Sequence, residues 1–237
     1  MSTYVLIHGS WHGAWCWYKI IPLLEQAGHK AIALDLPGHG RDWTAARDVS
    51  MQSYVDSVCK ILDAQPEPVI LVGHSRGGIV ISQTAEHRPE KIRTLVYLAA
   101  FLIPNGEAML PTALSDTESL LVSSLVVNEE QGYHMLKAEA FREALYADCS
   151  EEDVALATAL LTPEPNAPVA TPLNLSDENF GRVARVYIET LRDKGVTPTL
   201  QKKMYTATPF QTIISMETSH SPFLSAPEKL VGHLTSL

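Results

Sequence analysis

The chain has 237 residues, of which 46% are hydrophobic and 19% charged, and its formal net charge is −9 at pH 7. This length and composition are typical of one large α/β domain or two small ones, with a core that is stable without disulfides or metals. The negative net charge argues against the basic surface that nucleic-acid binding requires, and no apolar run approaches the roughly 18 residues needed to cross a bilayer.

Short apolar runs in the first half of the chain are predicted to be buried parallel strands. They are continuous rather than alternating, which is typical of strands that are buried on both faces of a sheet. The runs are TYVLIH, KAIALDL, VILVG and IRTLVYLAA. Helix-length segments lie between them: 14–28, which ends at Gly28 in a C-cap position, 50–65, which starts at the N-cap candidate Ser50, and the segment from Ser75 that Pro89 stops. This alternation predicts a doubly wound, mostly parallel α/β sheet.

The alternation is interrupted after Phe101. Between 102 and 180 no buried strand is predicted; 128–149 and 150–161 are expected to be helical, and the proline-rich segment 162–175 is expected to lack regular structure. Strand patterns return in RVARVYIET and FQTIISME, and a last helix is predicted over 226–237. We therefore predict an α/β core formed by 1–101 and 181–237, with a helical cap insertion at 102–180.

The N-terminus and the cysteines indicate a cytoplasmic protein. The sequence MSTYVLIHG has neither a basic segment nor a small-residue cleavage site, so it does not predict a secretory signal. The three cysteines, Cys16, Cys59 and Cys149, are widely spaced and form no metal-ligand pair. We expect them to be reduced and mostly buried.

A G-x-S-x-G motif, Gly73 to Gly77, lies between a predicted strand and a predicted helix. In so sharp a turn the strand and helix backbones approach closely, and glycines leave room for this while the strained turn displays the hydroxyl of Ser75. The helix that follows directs its free N–H groups and its positive end at the same place. The motif therefore predicts that Ser75 is a nucleophile.

A serine nucleophile needs a base, and His220 is the predicted one. It follows the last apolar strand, and the order nucleophile, acid, histidine is the one that accompanies this motif. Of the nine histidines in the chain, His134 and His233 are expected at the surface, and His87 at a solvated or capping position near a helix end.

The acid that orients this base must follow the penultimate strand, RVARVYIET. Asp193, in the turn LRDKG, is favoured, because a loop at the end of a strand can bring its carboxylate against the imidazole. Glu189 lies at the end of the strand itself and stays open as the alternative.

Acyl transfer also requires donors for the oxyanion, each commonly worth about 3–4 kcal/mol. One is expected to be the backbone N–H of Arg76, and the other the N–H of Ser10 in the loop HGSWHGAW. Gly9 and Trp11 are expected to form the substrate pocket, Gly9 as backbone close to the substrate and Trp11 as an aromatic wall. We expect the Arg76 side chain at the solvent or the pocket rim, and His39, in the loop DLPGHGRD, to be structural.

Several segments resemble the α/β-hydrolase subgroup that contains the methylesterases and the hydroxynitrile lyases. These are VLIHGSWHGAWCWYKIIPLLEQAGHKAIALDLPGHG, VILVGHSRGG, KIRTLVYLAAFLIP, VYIETLRDKGVTP and METSHSPFLSAPEKL. The resemblance implies an α/β-hydrolase fold, a triad of Ser75, Asp193 and His220, and an oxyanion hole formed by the amides of Ser10 and Arg76. It also implies a helical cap over an apolar acyl pocket and is compatible with a homodimer.

Two positions separate the esterases of this group from its lyases. The lyases carry threonine where this chain has Gly9 and lysine where it has Ser221. Without that lysine, the charge that assists the departing cyanide is missing. We therefore predict a serine carboxylesterase, a carboxylic ester hydrolase that acts through an acyl-enzyme on small to medium apolar or aromatic esters. Its partner is a small-molecule ester, and no cofactor, metal, nucleic acid or membrane is expected. The alternatives are a C–C lyase of the hydroxynitrile lyase type and a ligand-binding receptor on a hydrolase scaffold.

Overall fold

The computed structural model describes residues 1–208, 210 and 212–237. The strands are β1 (Thr3–Ile7), β2 (Lys30–Ala33), β3 (Val69–His74), β4 (Ile92–Leu98), β5 (Leu125–Asn128), β6 (Tyr133–Leu136), β7 (Glu164–Pro165), β8 (Ala184–Thr190) and β9 (Thr212–Met216). The α-helices are α1 (Ile20–Gln26), α2 (Met51–Asp63), α3 (Gly77–His87), α4 (Met109–Leu114), α5 (Leu120–Ser124), α6 (Phe141–Leu145), α7 (Glu151–Leu160), α8 (Asn166–Ala170), α9 (Pro198–Thr206), α10 (Pro222–Ser225) and α11 (Pro227–Thr235).

The central sheet has six parallel strands in the order β2-β1-β3-β4-β8-β9. All six coincide with predicted strands, so the doubly wound, mostly parallel sheet is confirmed; of the last predicted strand, 210–217, Gln211 lies outside the described residues. The chain moves from β1 outward to β2 and then returns to the other side of β1 for β3. Such a reversal opens a crevice at the carboxyl ends of the two strands, where ligands bind in open α/β sheets.

Alternate side chains of β1, β3, β4 and β8 enter two separate hydrophobic clusters, one on each face of the sheet. Leu71 of β3 packs in the cluster that contains α2, α3 and α9, whereas its neighbour Val72 packs in the cluster with α1, α10 and α11. Both faces are therefore covered, which explains why the strand sequences are continuously apolar. The cysteines Cys16, Cys59 and Cys149 are free and buried, as expected.

Local capping signals fix the helix boundaries that the sequence indicates. The Ser50 hydroxyl accepts the Ser53 N–H at the start of α2, and the Ser53 hydroxyl accepts the Ser50 N–H in return. Ser150 likewise accepts the Asp153 N–H at the start of α7. After α1, Gly28 has a φ of +81°, the left-handed conformation that a C-terminal cap requires.

The segment between β4 and β8 lies over the carboxyl edge of the sheet and contains α4 to α8 together with a small antiparallel sheet, β5-β6-β7. The predicted helix over 128–149 is wrong in its first half, because β6 pairs with β5 through a turn at Gly132 (φ +71°), and only α6 is α-helical there. The proline-rich segment 162–175 also contains regular structure, β7 and α8. The division of the chain into a core and a cap at 102–180 stays a prediction.

Within residues 1–208, 210 and 212–237, no helix combines the length and the apolar character that crossing a membrane would demand.

Candidate active site

Ser75 lies between β3 and α3 in a strained conformation. Its φ is +53°, in the left-handed region that residues other than glycine rarely adopt. Space requires both glycines of the motif: a Cβ on Gly73 would lie 2.7 Å from the Gly77 carbonyl oxygen, and one on Gly77 would lie 2.9 Å from the Ile7 carbonyl oxygen. The next residue, Gly78, is more tightly confined, with a Cβ only 2.1 Å from the Phe101 carbonyl oxygen. The turn therefore holds the Ser75 hydroxyl at the end of the central strand, where the N-terminus of α3 begins.

His220 follows β9 and lies against this hydroxyl. Its Nε2 is 3.1 Å from Ser75 Oγ, and its Nδ1 is 2.7 Å from Asp193 Oδ2. The imidazole is 1% exposed. His74, the residue before the serine, donates from Nε2 to the His220 carbonyl oxygen at 2.8 Å and so fixes the backbone of the loop. The structure thus brings the three side chains predicted for the triad into one hydrogen-bonded chain.

The Asp193 carboxylate, in the turn after β8, is surrounded by donors. Oδ1 accepts the backbone N–H groups of Gly195 (2.7 Å) and Val196 (2.9 Å), and Oδ2 accepts from Thr190 Oγ1 at 2.9 Å and Gln201 Nε2 at 3.3 Å. An ionised carboxylate is an acceptor only, so every contact suits it. These bonds fix its orientation toward His220.

The alternative acid, Glu189, makes different contacts. Its two oxygens accept hydrogen bonds from Tyr205 and Ser215, at 3.2 and 2.7 Å. Its carboxylate therefore links β8 to α9 and β9 by hydrogen bonds and takes no part in the hydrogen bonds between Asp193, His220 and Ser75. Asp193, not Glu189, is the carboxylate that the structure places against His220.

The backbone N–H groups of Ser10 and Arg76, near Ser75, are among those that have no hydrogen-bond acceptor within the described residues. The N–H of the next residue, Trp11, is already used, because it donates to Glu164 Oε2 at 3.1 Å. Ser10 and Arg76 follow β1 and β3, the two strands that flank the crevice. Their role as an oxyanion hole stays a prediction to which this arrangement conforms.

A narrow pocket leads from Ser75 into the segment that covers the sheet. Ser10, Trp11 and Ser75 line one end, and most other lining side chains are apolar. The apolar ones include Met109, Leu110, Ala113, Leu121, Val122 and Val169. Gly9 is not among the lining residues; it lies behind Ser75, where a Cβ would be 2.9 Å from the Ser75 Cβ.

The expectation that His134 lies at the surface is wrong. It is 7% exposed, lines the pocket, and its Nδ1 lies 2.8 Å from Asn166 Oδ1. Its ring also packs edge-to-face on the Trp11 indole, with centroids 5.8 Å apart. His134 reaches the pocket because β6, which the sequence pattern did not indicate, points this side chain inward.

The expectation for the Arg76 side chain is also wrong, since the guanidinium is fully buried. Its Nε lies 3.0 Å from Glu164 Oε1, and its Nη2 donates to the Gly9 carbonyl oxygen at 3.2 Å. The guanidinium also lies over the Tyr54 ring, 4.7 Å from the centroid. No sequence pattern joins an arginine behind the nucleophile to a glutamate in a proline-rich segment, and for this reason sequence reasoning missed Glu164.

Glu164 is fully buried and is held in its charged form by its neighbours. Burial alone would raise the pKa of its carboxyl group, but the electrostatic effect of the Arg76 guanidinium and the hydrogen bond with His39 outweigh burial and lower the pKa. His39 Nε2 lies 2.9 Å from Glu164 Oε2. His39 is thus structural, as expected, but as part of a buried ionic cluster.

Three further histidines around the site are buried and neutral. Burial lowers the pKa of His12 to about 3 and lowers those of His8 and His74 well below the usual value. His12 donates from Nδ1 to the Ser10 carbonyl oxygen at 2.7 Å, and its Nε2 accepts the Tyr146 hydroxyl at 2.7 Å. Within the part of the chain that the structure describes, no group of three or more His, Cys, Asp or Glu side chains is arranged to hold a metal ion.

Comparison with known proteins gives consistent matches along the chain. The model of the alpha/beta hydrolase family matches residues 4–233. The chain is 38% identical to putative methylesterase 11, chloroplastic, of Arabidopsis thaliana over 97% of its own length, but it spans only 62% of that protein. It is 35% identical to methylesterase 1 of the same plant, with 99% of this chain and 95% of that protein covered.

Among solved structures, the crystal structure of a methylesterase protein from Arabidopsis has a TM-score of 0.86 at 30% identity, with 100% of this chain and 98% of that chain covered. The sequence resemblance to the methylesterase-like subgroup is therefore confirmed, and so is the expected fold.

Proposed function

Because the chain belongs to the α/β-hydrolase family and to a methylesterase-like subgroup within it, we propose that it is a serine carboxylesterase acting on small to medium apolar or aromatic esters. One observation carries the proposal: the continuous chain from Ser75 Oγ to His220 Nε2 and from His220 Nδ1 to Asp193. That arrangement is the one by which a weakly nucleophilic hydroxyl becomes reactive.

In the first half of the reaction, Ser75 Oγ attacks the ester carbonyl carbon while His220 Nε2 takes the hydroxyl proton. Asp193 holds the proton on Nδ1, so that Nε2 is free to accept, and stabilises the imidazolium that forms. The negative charge on the carbonyl oxygen is held by the N–H groups of Ser10 and Arg76. The intermediate collapses when the bond to the alcohol oxygen breaks, and the imidazolium gives its proton to the departing alcohol. An acyl-enzyme on Ser75 remains.

In the second half, water takes the place of the alcohol. His220 removes a proton from the water as its oxygen attacks the acyl carbon, and the same two N–H groups hold the oxyanion. The bond from the acyl carbon to Ser75 Oγ then breaks, and Oγ takes the proton back from the imidazolium. The carboxylic acid leaves and the enzyme returns to its starting state.

The pocket supports the proposed substrate class. Its apolar walls, such as Leu121 and Val169, favour an apolar or aromatic group through the area that is removed from water. The Trp11 indole at the end near Ser75 provides a flat wall beside the reacting carbonyl. No Asp, Glu, Lys or Arg side chain lies among these lining residues, which disfavours substrates that carry a charged acyl group.

The lyase alternative depends on a charged group beside the histidine that this chain lacks. Ser221 occupies that position, and its hydroxyl is buried without a partner among the described residues. Release of cyanide from mandelonitrile is the assay for that activity, and we expect little. Tight binding of a small apolar acid without turnover would instead favour the receptor alternative.

The location and the assembly of the protein stay predictions. A cytoplasmic location was expected from the sequence, whereas several relatives are named as chloroplastic. The homodimer is an expectation from the family alone.

A burst experiment tests the proposed function. Wild-type protein mixed with p-nitrophenyl butyrate should release a burst of p-nitrophenol as the acyl-enzyme accumulates, and Ser75→Ala should show neither burst nor turnover. Ser57→Ala, at a half-buried position of α2 where the hydroxyl donates to the Tyr54 carbonyl oxygen, is the matched control and should behave as wild type. Retained turnover in Ser75→Ala would contradict the assignment of the nucleophile.

A further inference from the structure

Trp11 forms three hydrogen bonds with the cap segment, by which we mean residues 102–180. Its N–H donates to Glu164 Oε2 at 3.1 Å, its carbonyl oxygen accepts the Thr162 N–H at 2.9 Å, and its indole Nε1 donates to the His134 carbonyl oxygen at 3.2 Å. Trp11 also has a φ of +63°, a left-handed conformation that costs a tryptophan free energy unless its surroundings hold it there. The loop after β1 thus has a strained residue whose partners come from 134–164.

The peptide that carries the Ser10 N–H is fixed from its opposite side. The Gly9 carbonyl oxygen accepts Arg76 Nη2 at 3.2 Å and His8 Nδ1 at 2.8 Å. In a trans peptide the C=O and the following N–H point in opposite directions, so these two bonds direct the Ser10 N–H away from the buried guanidinium. They leave that N–H without an acceptor beside Ser75.

Arg76 and Glu164 connect these two sets of bonds. The guanidinium holds the Gly9 carbonyl, the carboxylate holds the Trp11 N–H, and the two groups face each other at 3.0 Å in a fully buried ion pair. The two contacts lie on either side of Ser10. Neither Arg76 nor Glu164 lines the pocket, so neither side chain is placed to touch substrate.

From this geometry we propose that Glu164, paired with Arg76, is a positioning residue of the esterase: it holds the 9–11 loop so that the Ser10 N–H meets the oxyanion. The inference rests on the proposed function, because the oxyanion belongs to ester hydrolysis. The inference adds that the position of the Ser10 N–H, the oxyanion donor that follows β1, depends on a carboxylate from the cap segment.

A double variant separates positioning from stability. Arg76→Met with Glu164→Met removes both charges of the pair together, which avoids the uncompensated buried charge that either single change would leave. His39 loses its carboxylate partner in the same step. The protein should stay folded by circular dichroism and thermal melting. Its kcat for p-nitrophenyl butyrate should fall about 100-fold, the effect of losing one oxyanion donor, while KM changes less than about threefold.

Inhibitor binding supplies a readout that a purely structural role would not move. An aryl trifluoromethyl ketone forms a hemiketal on Ser75 and places an oxyanion in the hole, whereas the matching methyl ketone binds without one. The double variant should weaken the trifluoromethyl ketone by the same factor as kcat and leave the methyl ketone unchanged. Equal weakening of both ketones, or a kcat within about threefold of wild type in a folded protein, would overturn the proposal.

The chain offers a matched control in a second ion pair between the cap segment and the core. Lys19 Nζ lies 2.6 Å from Asp153 Oδ2. The other hydrogen bonds of the two side chains go to Tyr18, Ser150 and the Leu224 carbonyl oxygen, which lie outside the 9–11 loop. Asp153→Asn should keep kcat within about twofold; a loss as large as that of the double variant would show general loosening and overturn the proposal.

If the double variant does not fold, Glu164→Asp decides the question. This variant keeps the charge beside Arg76 but withdraws the carboxylate from the Trp11 N–H. Both kcat and the affinity for the trifluoromethyl ketone should then fall about tenfold. Unchanged values for both would overturn the proposal. Ser75-dependent turnover of the wild type is measured separately, so a failure of the proposed function is distinguished from a failure of Glu164.

Discussion

Asp193→Asn should nearly abolish turnover while leaving the fold intact. The carboxylate receives donors on both oxygens, including the Gly195 and Val196 N–H groups on Oδ1 and the His220 Nδ1 on Oδ2. An amide can satisfy only one side, and turning its NH2 group toward the two backbone N–H groups would leave both unsatisfied, at about 1–3 kcal/mol each. The NH2 group will therefore face His220.

An amide nitrogen opposite Nδ1 reverses the tautomer of the imidazole. Nδ1 then accepts a hydrogen bond and Nε2 carries the proton, so Nε2 cannot take the proton of Ser75 at its 3.1 Å distance. We expect kcat at pH 7 to fall about 10⁴-fold, which corresponds to about 5 kcal/mol in activation free energy.

The assay is steady-state hydrolysis of p-nitrophenyl butyrate, with folding checked by thermal melting. Glu189→Gln is the matched control, because its carboxylate contacts Tyr205 and Ser215 instead of the imidazole, and it should keep kcat within about twofold. If Asp193→Asn retains more than about a tenth of wild-type kcat, or if Glu189→Gln shows the larger loss, the reasoning is refuted.

Three further predictions concern stability and the pocket. His12 has a pKa of about 3 in the folded protein and of about 6.5 in the unfolded chain. Because only the unfolded state binds a proton between these values, the free energy of unfolding should be about 2 kcal/mol lower at pH 5 than at pH 8 for this residue. Urea midpoints that are equal at pH 8 and pH 5 would contradict this. Ala113→Phe narrows the apolar pocket and should raise KM for aryl esters about tenfold with little effect on methyl acetate; a uniform change across the ester panel would be the contrary result. Gly78→Ala places a Cβ 2.1 Å from the Phe101 carbonyl oxygen and should lower the free energy of unfolding by about 3 kcal/mol, whereas a loss below about 1 kcal/mol in urea would show that the backbone yields easily.

The sheet was predictable because burial on both faces leaves a direct mark in the sequence. VILVG and its neighbouring runs are continuously apolar, and each forms a strand of the central sheet. The triad could be predicted in the same way, because its signals also lie in the sequence. Ser75 is marked by its strand–turn–helix context, and Asp193 and His220 by their order along the chain. The contacts agree with that prediction, while the catalytic roles stay proposals.

The antiparallel strands of the cap segment have a weaker pattern in the sequence. β5 and β6 are only four residues each and are partly exposed, and Ala, Glu and Lys follow β6 in a helix-like run. Tertiary pairing overrides local propensity in such short segments. The burial of Arg76 with Glu164 could not be predicted at all, because a charged side chain is ordinarily exposed and only the folded topology brings its partner to it.

The three-point hold on Trp11 has a consequence for engineering. A chimera in which the 102–180 segment is exchanged for that of a relative would replace all three partners of this tryptophan. The Glu164 carboxylate would be lost with the residue, and the Thr162 N–H and the His134 carbonyl would be kept only if the new backbone followed the same path. Grafts meant only to alter substrate choice would thus also deform the donor loop, unless the transplant retains residues 162–164 and the 133–136 strand.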